Sequence, residues 1–389
     1  MKELRAAALL VALSLVPAAE AKEPLPTAPR LALGGEASLS YAPEDTGYFN
    51  DAAYGHNLTR LLRLDLLGSF RLAPGLEALF DLRSENLDSP QVYALYLRYR
   101  PFAPHELDLQ AGRIPPVFGT FPRRRYAQEN PLVSWPLVWQ YLTTLRPDAL
   151  PASADALLLV RGSGWRAPYP GYGAAAGVPT ASAARWDTGV EARYANGPLE
   201  LAVALTRGTL SDPRFEDSND GKQLSARVGW QPLAGLGLGA SIAEGEFLDA
   251  ALPLPRGRYD QRAYGLDAEL ALGRVVFRAE AVYAEWDEPA TGQPPIDRPL
   301  SARGYYLEGR WRFAPGWHVA ARLDRLGFGD IRGSEGLEPW EAPVRRLEAG
   351  FGFVPRRHVL VKAVYQRNRR DYGFVQSQDL VAAQAVLWF

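Results

Sequence analysis

The sequence predicts an all-β chain, a closed antiparallel membrane-spanning β-barrel of about sixteen strands. Three observations point there. Apolar residues recur at every second position almost unbroken from Leu31 to Phe389, the period of a strand with one apolar face. The connections between these segments alternate between short turns and long, polar, Pro- and Gly-rich loops. Beyond the first 21 residues there is no apolar run of about twenty residues, so no membrane helix is expected. The mean hydropathy of -0.19 does not argue against a barrel, because alternating faces cancel in any such average.

The N-terminus reads as a secretory signal. Lys2 and Arg5 precede an apolar stretch, Ala6 to Val16, too short for a spanning helix, and Ala19-Glu20-Ala21 has the small-x-small cleavage pattern. The expectation is a cleaved segment over 1–21 and one barrel domain over 22–389. Length alone would suggest two or three domains, but the continuous alternation argues for one.

The strand-like segments come in order. Leu31–Tyr41, Leu58–Arg71, Leu76–Glu85, Gln91–Arg100 and Glu106–Gly112 precede a very long connection, 114–184. Arg185–Tyr194, Leu199–Arg207, Lys222–Gln231, Leu236–Phe247, Tyr259–Leu272 and Val275–Trp286 follow it. Arg303–Phe313, Trp317–Leu326, Val344–Val354, His358–Arg367 and Gln378–Phe389 complete the set. Ala73-Pro74-Gly75, Ala195-Asn196-Gly197 and Ala314-Pro315-Gly316 are typical of the short turns. Ala156–Arg161, inside the long connection, is a candidate extra strand, which leaves eighteen strands open.

The two faces of each segment separate. The twelfth carries Tyr305, Leu307, Gly309, Trp311 and Phe313 against Tyr306, Glu308, Arg310 and Arg312. A charge facing lipid near the midplane costs a few kcal/mol, so the charged faces are expected to point inward. Aromatics gather near segment ends. Phe70, Tyr99, Trp230 and Trp317 lie at one level; Tyr41, Trp186, Tyr264 and Tyr305 lie at the other, as in a bilayer's two aromatic belts.

The final segment, apolar at Val381, Ala383, Ala385, Leu387 and Phe389, resembles the closing strand of Gram-negative outer-membrane barrels. With the strand number and the signal, the chain resembles the porin superfamily over nearly all of its mature length. The resemblance implies an integral outer-membrane protein with periplasmic termini. It implies contact with outer-membrane lipid, and a Phe389 signal read by the barrel-insertion machinery. It also implies passive diffusion of small hydrophilic solutes or ions through a water-filled lumen. The loop after the fifth strand, 114–184, would fold into that lumen as a constriction. On this reading Arg63, Arg83 and Arg98 form a basic wall patch facing the loop, and Arg123, Arg124, Arg125 and Glu129 stand at the narrowest point. A homo-oligomer is open, because the second outer loop near Leu87–Pro90 is short where related trimers use a longer latch. The alternative is a barrel scaffold or plugged anchor, or a sheath around a partner such as a periplasmic cytochrome.

Other chemistries find no support. There is no cysteine, which removes disulfides and thiolate sites. His56, His105, His318 and His358 lie on scattered segments without ligand or triad spacing, so neither a catalytic set nor a metal site is expected. Asp217-Ser218-Asn219-Asp220-Gly221 reads as a solvated turn rather than a calcium loop. No cofactor motif is present, and the net charge of -1 offers no field for nucleic acid.

Overall fold

The computed structural model describes residues 31–52, 56–102, 106–214, 221–255, 257–290 and 292–389. The expected signal segment, 1–21, and most of the 217–221 turn lie outside these residues.

Sixteen antiparallel strands close into one barrel. They are β1 (Leu31–Tyr41), β2 (Leu62–Ala73), β3 (Leu76–Glu85), β4 (Gln91–Tyr99), β5 (Leu107–Ile114), β6 (Asp187–Asn196), β7 (Leu199–Thr206) and β8 (Gln223–Leu233). The rest are β9 (Leu236–Glu246), β10 (Asp260–Leu272), β11 (Val275–Trp286), β12 (Leu300–Ala314), β13 (Trp317–Phe328), β14 (Val344–Arg356), β15 (Val359–Arg370) and β16 (Ser377–Trp388). Each strand pairs with its sequence neighbours. β1 closes the ring on β16, with Ala37 opposite Leu387 and Leu39 opposite Ala385. Phe389 extends this seam, exchanging both backbone hydrogen bonds with Gly35. Closure removes the free edges that an open sheet would expose.

Exposure follows the alternation. On β12, Tyr305, Leu307 and Trp311 are exposed while Tyr306 and Glu308 are buried; on β16, Val381 and Leu387 are exposed while Ala382, Gln384 and Val386 are buried. The enclosed face is the charged one. At the short-turn rim, the outer aromatics of neighbouring strands meet: Trp317 stacks on Phe353 with centroids 4.1 Å apart, and Phe313 lies 6.4 Å from Trp317.

The structure alters three sequence expectations. Ala156–Arg161 is not a strand. Helix α2 (Ala154–Leu159) occupies it, following the one-turn α1 (Leu137–Gln140), and the Ser153 hydroxyl caps it by accepting from the Ala156 N–H. The barrel therefore closes at sixteen strands, not eighteen. Trp186 is buried, not part of a lipid-facing belt. It packs against Tyr93 at 5.5 Å. Finally, β2 starts at Leu62 rather than Leu58, because Asn57 folds the chain into a turn, accepting from the Thr59 N–H at 3.0 Å.

Candidate functional site: the enclosed face and the long segment across it

Between β5 and β6 the chain runs through 115–186, mostly without regular structure. Such a segment carries amide groups with no ladder to pair with, and burial without partners would be costly. Inward-facing wall side chains from several strands satisfy them. On β1, Glu36 accepts from the Ala127 and Gln128 N–H groups, each at 2.8 Å. On β11, Glu280 accepts from the Thr120 N–H (2.6 Å), the Phe121 N–H (2.8 Å) and the Trp139 indole (2.7 Å). On β13, Asp324 accepts from the Leu137 N–H at 3.1 Å. On β14, Glu348 accepts from the Val133 and Ser134 N–H groups and the Ser134 hydroxyl. On β15, the Lys362 ammonium donates to three carbonyls, those of Ala127, Asn130 and Leu132. Each is a charge-assisted bond, roughly twice the strength of a neutral one.

Arg322 ties this set together. Fully buried, it donates to Asp324 (3.0 Å), Glu348 (2.7 Å) and Glu308 (3.3 Å), and also to the Ser134 carbonyl at 3.0 Å. An outer loop adds Glu341, which accepts from the Thr144 and Gly162 N–H groups at 2.6 Å each. Burial raises its carboxyl above the usual range.

Apolar packing completes the fastening. Phe118, Phe121, Trp135, Trp139 and Leu157 share one buried cluster with Val282, Trp286, Leu326 and Phe328 of β11 and β13. These wall residues face inward, so the inner face of this wall sector is apolar in its outer half. On β11, Val282, Ala284 and Trp286 put no polar side chain on the inner face beyond Glu280, while Tyr283 and Glu285 stand on the opposite face.

The sequence-predicted residues are distributed as follows. Arg63 is ion-paired with Glu85 at 2.7 Å and lies over the Trp135 ring. Arg83 pairs with Asp65 at 2.6 Å. Arg83 and Arg125 lie 3.8 and 3.5 Å from the Tyr93 ring centre, and Arg125 also reaches Asp81 at 3.0 Å. Arg124 donates to the Tyr306 hydroxyl at 3.0 Å and approaches Glu308. Arg98 lies 3.4 Å from Asp108, and Arg123 3.6 Å from Glu200. Glu129 is exposed and is in no ion pair among the described residues. Arg63, Arg83 and Arg125 thus share one buried, charge-compensated cluster. Arg98 and Arg123 lie in a wetter sector, where Arg100, Glu200 and Glu269 also keep partial solvent access. The backbone-holding roles of Glu36, Glu280, Glu348 and Lys362 have no motif, because their partners are main-chain groups.

No protein-family model and no curated protein matches the chain. Solved structures do. An anion-selective porin from Comamonas acidovorans aligns with a TM-score of 0.56 at 12% identity, over 92% of this chain and 99% of that one. The outer membrane channel DcaP of Acinetobacter baumannii gives 0.56 at 12% identity, over 92% and 97%. OmpF of Salmonella typhi, solved with daunomycin, gives 0.55 at 13% identity, over 92% and 97%. At such identities the likeness is one of backbone, and the closed ring of sixteen strands agrees with it: the chain has the fold of the bacterial outer-membrane porins.

Proposed function

We propose that the chain is an outer-membrane channel through which small hydrophilic solutes or ions diffuse passively, past a constriction formed by the 114–184 segment. The observation that carries this reading is the wetted, charge-paired sector of the enclosed face. Arg98, Arg100, Arg123, Glu200 and Glu269 sit inside a closed barrel and keep access to water. At Gly237, also on this face, an added Cβ would meet no atom within 4 Å. A barrel of this strand number encloses an aqueous space unless something fills it, and these charged side chains keep water access beside the long segment. Outward, the apolar face suits lipid, and the β1–β16 seam with Phe389 suits recognition by an insertion machinery. Arg63, Arg83 and Arg98, with Arg123, Arg124, Arg125 and Glu129, remain the residues proposed to shape the field at the narrowest level. The small residues Ala37, Ala383 and Ala385 along the β1–β16 seam suit a homo-oligomer contact, while the Phe389 ring lies over Gly35.

A second reading, a plugged anchor, is favoured by the extent of the apolar cluster between the segment and β11–β13. The sheath version is disfavoured, because a threaded partner would need volume the segment already fills. Planar-bilayer recordings separate the readings. The channel predicts discrete conductance steps, enlarged when part of 114–184 is deleted. Glu280→Gln, which weakens four hydrogen bonds to the segment, provides a milder release. Absence of steps favours the anchor, and steps unchanged by both variants remove the segment's role.

A further inference from the structure

Inward-facing arginines of this barrel generally ion-pair with a carboxylate one or two strands away around the ring. Arg63 has Glu85, Arg83 has Asp65 and Arg227 has Asp267. Arg310 breaks the pattern. Its cross-strand neighbours are Val276 on β11 and Ala320 on β13, and neither can balance a charge. The nearest carboxylate along its own strand, Glu308, is already engaged by Arg124, Arg278 and Arg322. The Arg310 Nε is buried without a partner. Arg312, the next inward residue toward the short-turn rim, is exposed and in no ion pair among the described residues. Beside them on β13, His318 donates through Nε2 to the Pro131 carbonyl at 3.3 Å. Gly352 leaves room for that ring, which a Cβ there would strike. Glu269, two strands away on β10, is held by Arg278 at 2.5 Å, so among the described residues two guanidinium groups on one strand face have no ion pair of their own. They lie one and two inward steps, about 7 and 13 Å, below the level at which Glu308 and Arg322 hold the long segment.

A half-buried guanidinium without a counter-charge is a poor structural choice and a good receptor. Its planar fork matches the two oxygens of a carboxylate or phosphate, and the low-dielectric wall strengthens the attraction. We propose that Arg310 and Arg312 form an anion subsite on the short-turn side of the constriction, which takes the carboxylate or phosphate group of a small solute and biases permeation toward anions. The inference rests on the channel reading.

The test uses the full-length folded barrel in planar bilayers under a salt gradient, with R310Q, R312Q and the double variant. The expected result is a reversal potential of anion-preferring sign in the unmodified protein. The anion-to-cation permeability ratio should fall about threefold or more in the double variant, while conductance stays within about twofold. Inorganic phosphate added on the short-turn side should reduce the current, and this block should weaken in the variants. R312Q alone, at an exposed position, keeps the test usable if the double variant folds poorly. An unmodified channel that prefers cations, or a ratio and phosphate block unmoved by the substitutions, overturns the subsite while leaving the channel intact. Absence of any conductance step removes the channel reading, and the subsite with it.

Discussion

An ammonium group has three N–H donors, and at Lys362 each finds a backbone carbonyl, at 2.8 to 3.0 Å. This one side chain satisfies three carbonyls of the 127–132 stretch, which no strand could pair, and His318 takes a fourth, that of Pro131. Lys362→Met keeps much of the aliphatic stem and removes the donors. It should lower stability by about 2–4 kcal/mol, the cost of stranding buried polar partners. Denaturant unfolding in detergent micelles measures the loss, and faster amide exchange confined to 127–132 would locate it. Glu288 poses the opposite case. Both its carboxylate oxygens are buried without a hydrogen-bond partner, and burial, with Asp287 beside it, pushes its carboxyl up to about 8. The folded state then binds this proton more tightly than the unfolded chain does. Its contribution is full below the usual carboxylate range and is lost as pH rises toward 8. Thermal stability should decline across that window, and Glu288→Gln, a mimic of the protonated form, should flatten the decline. A variant with the same slope as the unmodified protein would show that another group governs it.

At the scale of elements, the strands were legible because their period survives on the lipid side whatever the inner face does. All sixteen expected segments overlap an observed strand, and three match at both ends: β1, β3 and β11. Helix α2 was not legible. Ala156 to Val160 is a short apolar run that suits either state, and the cap that decides lies one residue before the helix, at Ser153. Removing it with Ser153→Ala should cost about 1 kcal/mol, seen as earlier local exchange over 154–159 with the barrel melting unchanged. The inner-facing apolar residues near the outer rim were equally hidden. Val282 or Phe328 on an enclosed face makes sense only once Phe118 and Trp139 are placed against it, and they come from more than a hundred residues away. For the candidate site, Glu280, Asp324, Glu348 and Lys362 lie on the charged faces of their strands, the faces that alternation directs inward. Sequence could not show that they hold main-chain groups, since an amide carries no residue identity.

For the molecule as a whole, the governing claim is that one side of the ring touches hydrocarbon. Leu266 tests it. It lies at the middle of the thirteen-residue β10 and is 65% exposed on the apolar face. Leu233 is similarly exposed, at 67%, but sits at the short-turn end of β8. In water the two are equivalent, and arginine at either would change stability little. In a bilayer they differ by depth. An arginine near the midplane costs about 2–4 kcal/mol, and one near the interface about 0–1 kcal/mol, because its head reaches water. Leu266→Arg should therefore lose markedly more folding free energy in lipid vesicles than Leu233→Arg, and the gap should shrink in short-chain detergent, where the apolar layer is thin. Equal losses in vesicles would place both leucines at one depth, or in no membrane at all. The assignment of inner and outer faces would then fail, together with the channel built upon it.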